Sequence, residues 1–193
     1  VGDIYDEVKE KFVAAAKAMK VGSGLDESVA MGPVVSAAHK ERVLGFIDKG
    51  VEEGADLLLD GRNFTVDEYP NGFFVGPTIF DKVKTDMTIC SQEIFGPVVS
   101  MVNPKNLDEV IELVNSRQYA NASCIYTQNG ATAREFKYKV NPSMIGVNIG
   151  IAAPMSFFPF GGYGNSFLGD IKGHGREIFQ FYTDMKVVIE RWF

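Results

Sequence analysis

Cysteine is scarce here: only Cys90 and Cys124 occur in 193 residues. Two thiols without a C-x-x-C neighbour make neither a secreted disulfide scaffold nor a zinc site. Histidine is equally rare, and His39 and His174 stand too far apart in sequence to suggest a shared metal, so both read as solvent-facing side chains and no metal is expected. No apolar run approaches the roughly 20 residues that span a bilayer, which argues against a membrane partner. Basic residues form no cluster, and a net charge of -6 with a pI near 5.0 argues against nucleic acid. The opening residues are acidic and helical rather than signal-like, so the expected compartment is the cytoplasm, or the mitochondrial matrix in a eukaryote.

What is present is the composition of an ordinary folded protein. Hydrophobic residues make up 46% and charged residues 23%, enough for a core that needs no cross-links. Residues 3–19 predict an amphipathic helix capped by Asp3, with Ile4, Val8, Phe12, Ala15 and Met19 on its core face. After a Gly-rich loop at 21–31, Ser36 opens a second helix whose Val43, Leu44, Phe46 and Ile47 face a core, ending near Gly50 or Gly54. Short strands at 56–59 and 73–75 surround turns at Asp60-Gly61 and Pro70-Asn71-Gly72. From there the pattern alternates: strands at 78–80 and 98–102, a helix at 107–114, a strand at 122–126, a helix at 131–138 and a strand at 144–147. Such alternation predicts an α/β fold, a mostly parallel sheet covered by helices, with no interdomain linker. Residues 179–192 read as a long terminal strand, whose apolar Phe181, Tyr182, Val187, Val188 and Ile189 require a partner edge.

Several catalytic patterns fail on inspection. The run from Gly164 to Gly169 has one residue too many for a nucleophile elbow, and no triad completes it. Gly173-His174-Gly175 lacks the third glycine and the leading strand of a dinucleotide fingerprint. Neither Cys90, leading into a turn, nor Cys124, inside an apolar strand, has a neighbouring base, so both read as structural. Two motifs stand out instead. In Ser91-Gln-Glu-Ile-Phe-Gly-Pro-Val-Val99 a turn before a core strand can project Glu93 and Phe95 into a cleft. In Pro159-Phe-Gly-Gly-Tyr163 the preceding loop, from Ile149 to Phe158, is so apolar that it should be buried or line a pocket.

These two motifs, in this order and spacing, resemble those of the aldehyde dehydrogenase superfamily over essentially the whole chain. The resemblance implies NAD as cofactor, with Glu93 on the nicotinamide ribose hydroxyls and Phe95 beside the ribose and ring. It implies a substrate tunnel shaped by Phe160, Phe158 and Ile149. Within the superfamily the chain is most similar to the acylating, coenzyme A-dependent methylmalonate-semialdehyde branch, through Asn129-Gly-Ala-Thr-Ala-Arg134 and Ser166-Phe-Leu-Gly-Asp170 above all. Water-using members show a basic residue and Ser-Gly after Pro-Phe-Gly-Gly, where this chain has Gly164-Asn-Ser-Phe. The implied reaction converts methylmalonate or malonate semialdehyde, coenzyme A and NAD to propionyl-CoA or acetyl-CoA, carbon dioxide and NADH. The family's nucleophilic cysteine and dinucleotide domain are expected upstream of Val1, so no catalytic residue is expected in this chain and it should be inactive alone. Residues 1–178 would belong to the catalytic domain, and 179–193 would form the strand that joins a homo-oligomer, a dimer or tetramer. A non-acylating, succinate-like semialdehyde dehydrogenase and a non-catalytic assembly module are the alternatives.

Overall fold

In the computed structural model, which describes all 193 residues, the chain enters its first helix through a 3-10 turn, Gly2–Ile4. Helix α1 then runs Tyr5–Lys17. Asp3 is not its cap: Ile4 holds that position and supplies no side-chain bond, because the chain is already helical there. Nor is the apolar face of α1 covered. Only Tyr5 is buried, while Ile4, Val8, Phe12 and Met19 remain 41–56% exposed. Helix α2, Ala37–Glu52, starts as the sequence predicts, with Ser36 in extended backbone and its hydroxyl accepting from the His39 amide at 3.2 Å.

Strand β1 (Asp56–Leu59) pairs antiparallel with β2 (Thr78–Asp81). The short helix α3 (Thr88–Ser91) follows, and β3 (Val98–Ser100) then lies parallel to β2 with Thr78 opposite Val98. Residues 73–75 join no ladder; the Phe73 carbonyl accepts from the Val34 amide at 3.0 Å, and Phe74 and Val75 are buried. Beneath this sheet Val43, Ile47, Phe80, Ile89 and Ile94 share one core. Ile47 and Phe80 are fully buried, and such side chains each contribute about 1.5–3 kcal/mol.

At the end of the central strand β2, Asp81 is only 4% exposed. Burial alone would raise its pKa. The Tyr5 hydroxyl, the Lys82 amide at 2.7 Å and the Lys9 ammonium at 3.2 Å outweigh that and hold the carboxyl below its ordinary value. Conversely, burial and the carboxylate beside it push the Tyr5 hydroxyl well above the usual tyrosine range.

The chain divides into two compact units, Val1–Asn106 and Leu107–Phe193, a boundary that the linker-free sequence pattern does not announce. In the second unit, helix α4 (Leu107–Asn115) precedes strands β4 (Tyr119–Ala120) and β5 (Ala122–Ile125). Helix α5 (Gly130–Lys139) is capped by Asn129, whose side chain accepts from the Ala131 and Thr132 amides. It returns the chain to β6 (Met144–Val147), parallel to β5 with Ala122 opposite Met144. Ile111, Phe136 and Val140 form the core between these layers. Strand β7 (Tyr163–Gly164) closes an antiparallel pair with β4. The fold is α/β as predicted, but its strands form three sheets rather than one contiguous sheet: β1, β2 and β3 in the first unit, and the separate β4–β7 and β5–β6 pairs in the second.

The terminal segment departs from expectation at its start. Residues Ile178–Tyr182 form helix α6 rather than extended backbone, and the Thr183 hydroxyl closes it on the Phe179 carbonyl. Local helical bonds satisfy these backbone groups where no neighbouring strand does. Residues 183–193 are exposed and outside regular structure. No helix is long and apolar enough to cross a membrane.

Candidate functional site

The turn between α3 and β3 is anchored by the side chain in its middle. Ile94 is buried in the core, so its neighbours Glu93 and Phe95 face outward, Phe95 being 77% exposed. Helix α2 grips the turn from the other side. Arg42 donates to the Glu93 carbonyl at 2.8 Å and to the Ile94 carbonyl, while its guanidinium stacks 4.7 Å from the Phe46 ring. The next carbonyl, that of Phe95, lies 2.7 Å from His39 Nε2. Three successive backbone carbonyls are therefore held by two side chains of one helix.

This grip holds an unfavourable backbone. Phe95 sits at φ 61°, a left-handed conformation that costs a bulky residue about 1–3 kcal/mol. The following glycine is required by space, since a methyl group on Gly96 would lie 2.7 Å from Val43 Cγ2. Pro97 then delivers its carbonyl to the Thr78 amide at 2.8 Å and the chain enters β3. The result is an outward-facing carboxylate with no partner inside the chain beside an open aromatic face.

His39 corrects the sequence-based expectation of a solvent-facing histidine: it is partly buried and hydrogen-bonded. Neither it nor Arg42 stands out as functional in the sequence. The available signal is their spacing, three apart on the helix and so on one face, next to the buried Val43.

The second motif lies in the other unit. Asn148 ties the start of its loop, accepting from the Thr127 amide at 2.8 Å and donating to the Thr127 carbonyl at 3.0 Å. Beyond it the apolar loop is open: Ile149 is 49%, Met155 66%, Phe157 64% and Phe158 54% exposed. Phe160 forms a two-bond bridge with Gly173, at 2.7 and 3.0 Å, and its ring lies 5.6 Å from His174. Gly162 must be glycine, because a methyl group there would meet the Ser166 carbonyl at 2.5 Å. Lys172 fixes this bend by donating to the Gly162 carbonyl at 2.8 Å. The Phe158 ring packs on Phe157 and the Phe160 ring on His174. A groove of about 380 Å³ on α1, lined by Lys9, Val13, Lys17 and Leu58, contains none of them.

Of the two thiols, Cys90 sits in α3 against the main core and Cys124 in β5, with its Sγ 3.9 Å from the Gly150 carbonyl. Neither forms a disulfide.

Comparison with known proteins gives these features a context. A model described as the aldehyde dehydrogenase family matches residues 1–188. Malonate-semialdehyde dehydrogenase 2 of Geobacillus kaustophilus is 50% identical over 192 residues, which cover 100% of this chain and 40% of that relative. Among solved structures, a Sinorhizobium meliloti protein assigned as methylmalonate-semialdehyde dehydrogenase and complexed with NAD superposes with a TM-score of 0.96 at 39% identity, covering 100% of this chain and 39% of that one. Methylmalonate-semialdehyde dehydrogenase from Oceanimonas doudoroffii gives a TM-score of 0.95 at 37% identity, with 100% and 40% covered. The chain thus spans about 40% of the length of the relatives it matches.

Proposed function

The chain belongs to the aldehyde dehydrogenase family, and from that premise we propose that it is the carboxyl-terminal part of an NAD-dependent enzyme that oxidises malonate or methylmalonate semialdehyde and, with loss of carbon dioxide, passes the remaining acyl group to coenzyme A. The observation that carries the cofactor side of this reading is the gripped turn. Its two exposed side chains suit a nicotinamide riboside: the Glu93 carboxylate can accept from both ribose hydroxyls, and the Phe95 face restricts the mobile ring. NAD, when bound, takes up the hydride of the aldehyde carbon. The semialdehyde assignment is supported by the 50% identity to malonate-semialdehyde dehydrogenases.

Ile149, Phe158 and Phe160 offer apolar surface and no charge, so in this reading they shape the path of the aldehyde while residues outside this chain recognise the substrate's carboxylate. The nucleophile is likewise assigned outside it, since Cys124 is held within a strand and Cys90 packs on the core. The exposed apolar segment at 183–193 is assigned to contact with a second copy in a homo-oligomer.

The test is the intact enzyme with malonate or methylmalonate semialdehyde and NAD, with and without coenzyme A, and products read by mass spectrometry. Acetyl-CoA or propionyl-CoA formation is expected. Equal turnover to a free acid without coenzyme A would favour a water-using semialdehyde dehydrogenase instead. The 193-residue chain alone should form no NADH; formation abolished by Cys90→Ser or Cys124→Ser would overturn the assignment of the nucleophile.

A further inference from the structure

The grip on the Glu93–Phe95 turn is unevenly shared. Arg42 holds the carbonyls of residues 93 and 94, and Ile94 is also fixed by burial in the core. Phe95 has neither support. Its side chain is 77% exposed, so packing within this chain does not set its direction, and its backbone lies in the left-handed region. The polar contact at this residue is the 2.7 Å bond between its carbonyl and His39 Nε2, and the His39 ring meets the Phe95 ring edge-on, with centroids 6.3 Å apart.

We propose that His39 is a positioning residue for hydride transfer: its Nε2–H, donated to the Phe95 carbonyl, keeps Phe95 in the left-handed conformation that presents its ring to the nicotinamide. The inference rests on the cofactor reading of Glu93 and Phe95. A carbonyl only accepts, so Nε2 carries the hydrogen, and both the neutral ring with that tautomer and the imidazolium can supply it. In this role His39 acts through the Phe95 backbone and exchanges no proton with the substrate. Its removal lowers the rate without removing an ionisation from the pH profile.

The same geometry makes the effect separable from simple destabilisation. Glutamine can place an amide N–H near the position of Nε2, whereas leucine fills similar space with no donor. Glycine at position 95 adopts φ 61° without strain and has no ring to position. In a Phe95→Gly background, loss of the His39 bond has nothing left to act on.

The experiment measures presteady-state hydride transfer in the intact enzyme for His39→Leu, His39→Gln, Glu93→Gln, and His39→Leu combined with Phe95→Gly. His39→Leu is expected to slow the hydride step roughly tenfold, within the hundredfold that a 1 Å misplacement can cost. His39→Gln recovers most of the loss, the pH profile keeps its shape, and the Leu effect shrinks severalfold in the Phe95→Gly background. A normal hydride step in His39→Leu beside a slowed one in Glu93→Gln overturns the role of His39 and leaves the cofactor reading standing. Equal losses in His39→Leu with and without Phe95→Gly overturn it too, by showing a general structural role. Unchanged hydride transfer and NAD affinity in Glu93→Gln would overturn the cofactor reading, and the proposal with it.

Discussion

Two aromatic loops carry the motifs of this chain, and they are organised in opposite ways. The turn around Phe95 is short and built from beneath: a buried Ile94, three carbonyls held by α2, and a glycine that fits only because it has no side chain. The loop from Ile149 to Phe160 is fixed at its ends, by Asn148 and by the Phe160–Gly173 bridge, and its apolar middle is open. The first site is preorganised by its own unit. The second offers hydrophobic surface whose order must come from whatever covers it, and the exposed terminal segment shares that character.

The sharpest break in this comparison is removal of residues 181–193. Phe181, Tyr182, Val187, Val188, Ile189 and Trp192 are all exposed, so little intramolecular packing is lost. The deletion is expected to abolish the normal oligomer of the intact enzyme, measured by light scattering at several concentrations, while the turn at Glu93 and Phe95 stays folded. The isolated 193-residue chain should self-associate through the same segment, since exposed apolar backbone invites pairing. Retention of the full oligomer after deletion would show that the segment is not its interface.

Next in size is a pair of truncations. Ile94→Ala leaves a cavity under the turn and should cost about 2–4 kcal/mol in urea denaturation. Met155→Ala, in the open loop, should stay within about 0.5 kcal/mol. Equal costs would mean that the second loop is as well packed as the first.

That contrast was only half legible in the sequence. Periodicity placed α2, α4, α5 and β6 well: the predicted helix at 107–114 is Leu107–Asn115, and the strand at 144–147 is Met144–Val147. Such patterns report which side chains recur on a face. They do not say what covers that face, which is why α1 was expected to bury Val8 and Phe12 and leaves both exposed. They also cannot assign strand partners, so one sheet was expected where three occur. The motif identified Glu93 and Phe95. It could not identify His39, whose bond spans 56 positions in sequence to a backbone carbonyl that carries no residue-specific signature. At residues 178–182 local hydrogen bonding prevailed over the extended pattern, because a strand without a neighbour leaves its backbone groups unsatisfied.

Acid should affect the two units unequally. Asp81 has a pKa lowered by its donors in the folded state, so its contribution is complete above the unfolded value of about 3.9 and disappears as the pH falls through the folded value. Hydrogen bonds to a buried charged group contribute roughly 1.5–3 kcal/mol, so Asp81→Asn should lower stability by about that much at pH 7. The difference between wild type and variant should narrow at pH 3. Protection factors, which correct hydrogen exchange for its intrinsic slowing in acid, are expected to fall in β2 between pH 7 and pH 3 and to change less in β6. Equal falls in both strands would place the acid-sensitive group elsewhere.

The smallest expected difference lies in two helix caps. Asn129 accepts from two amides, at 2.8 and 3.2 Å, and Ser36 from one, at 3.2 Å. Replacing a capping residue with alanine costs about 0.5–2 kcal/mol, so Asn129→Ala should fall near the middle of that range and Ser36→Ala near its lower end. Their functional consequences should run the other way. Ser36 bonds the amide of His39 itself, so fraying the first turn of α2 loosens the residue that holds the Phe95 carbonyl. Ser36→Ala should therefore weaken NAD binding or slow hydride transfer in the intact enzyme by a few fold, despite its small effect on stability. Asn129→Ala, the more destabilising change, should leave both steps near wild type, because its cap bonds only the first-turn amides of α5, and α5 supplies none of the groups that hold the Phe95 turn. Kinetic losses that track the stability losses instead would mean that the turn is sensitive to global loosening and not to the start of α2.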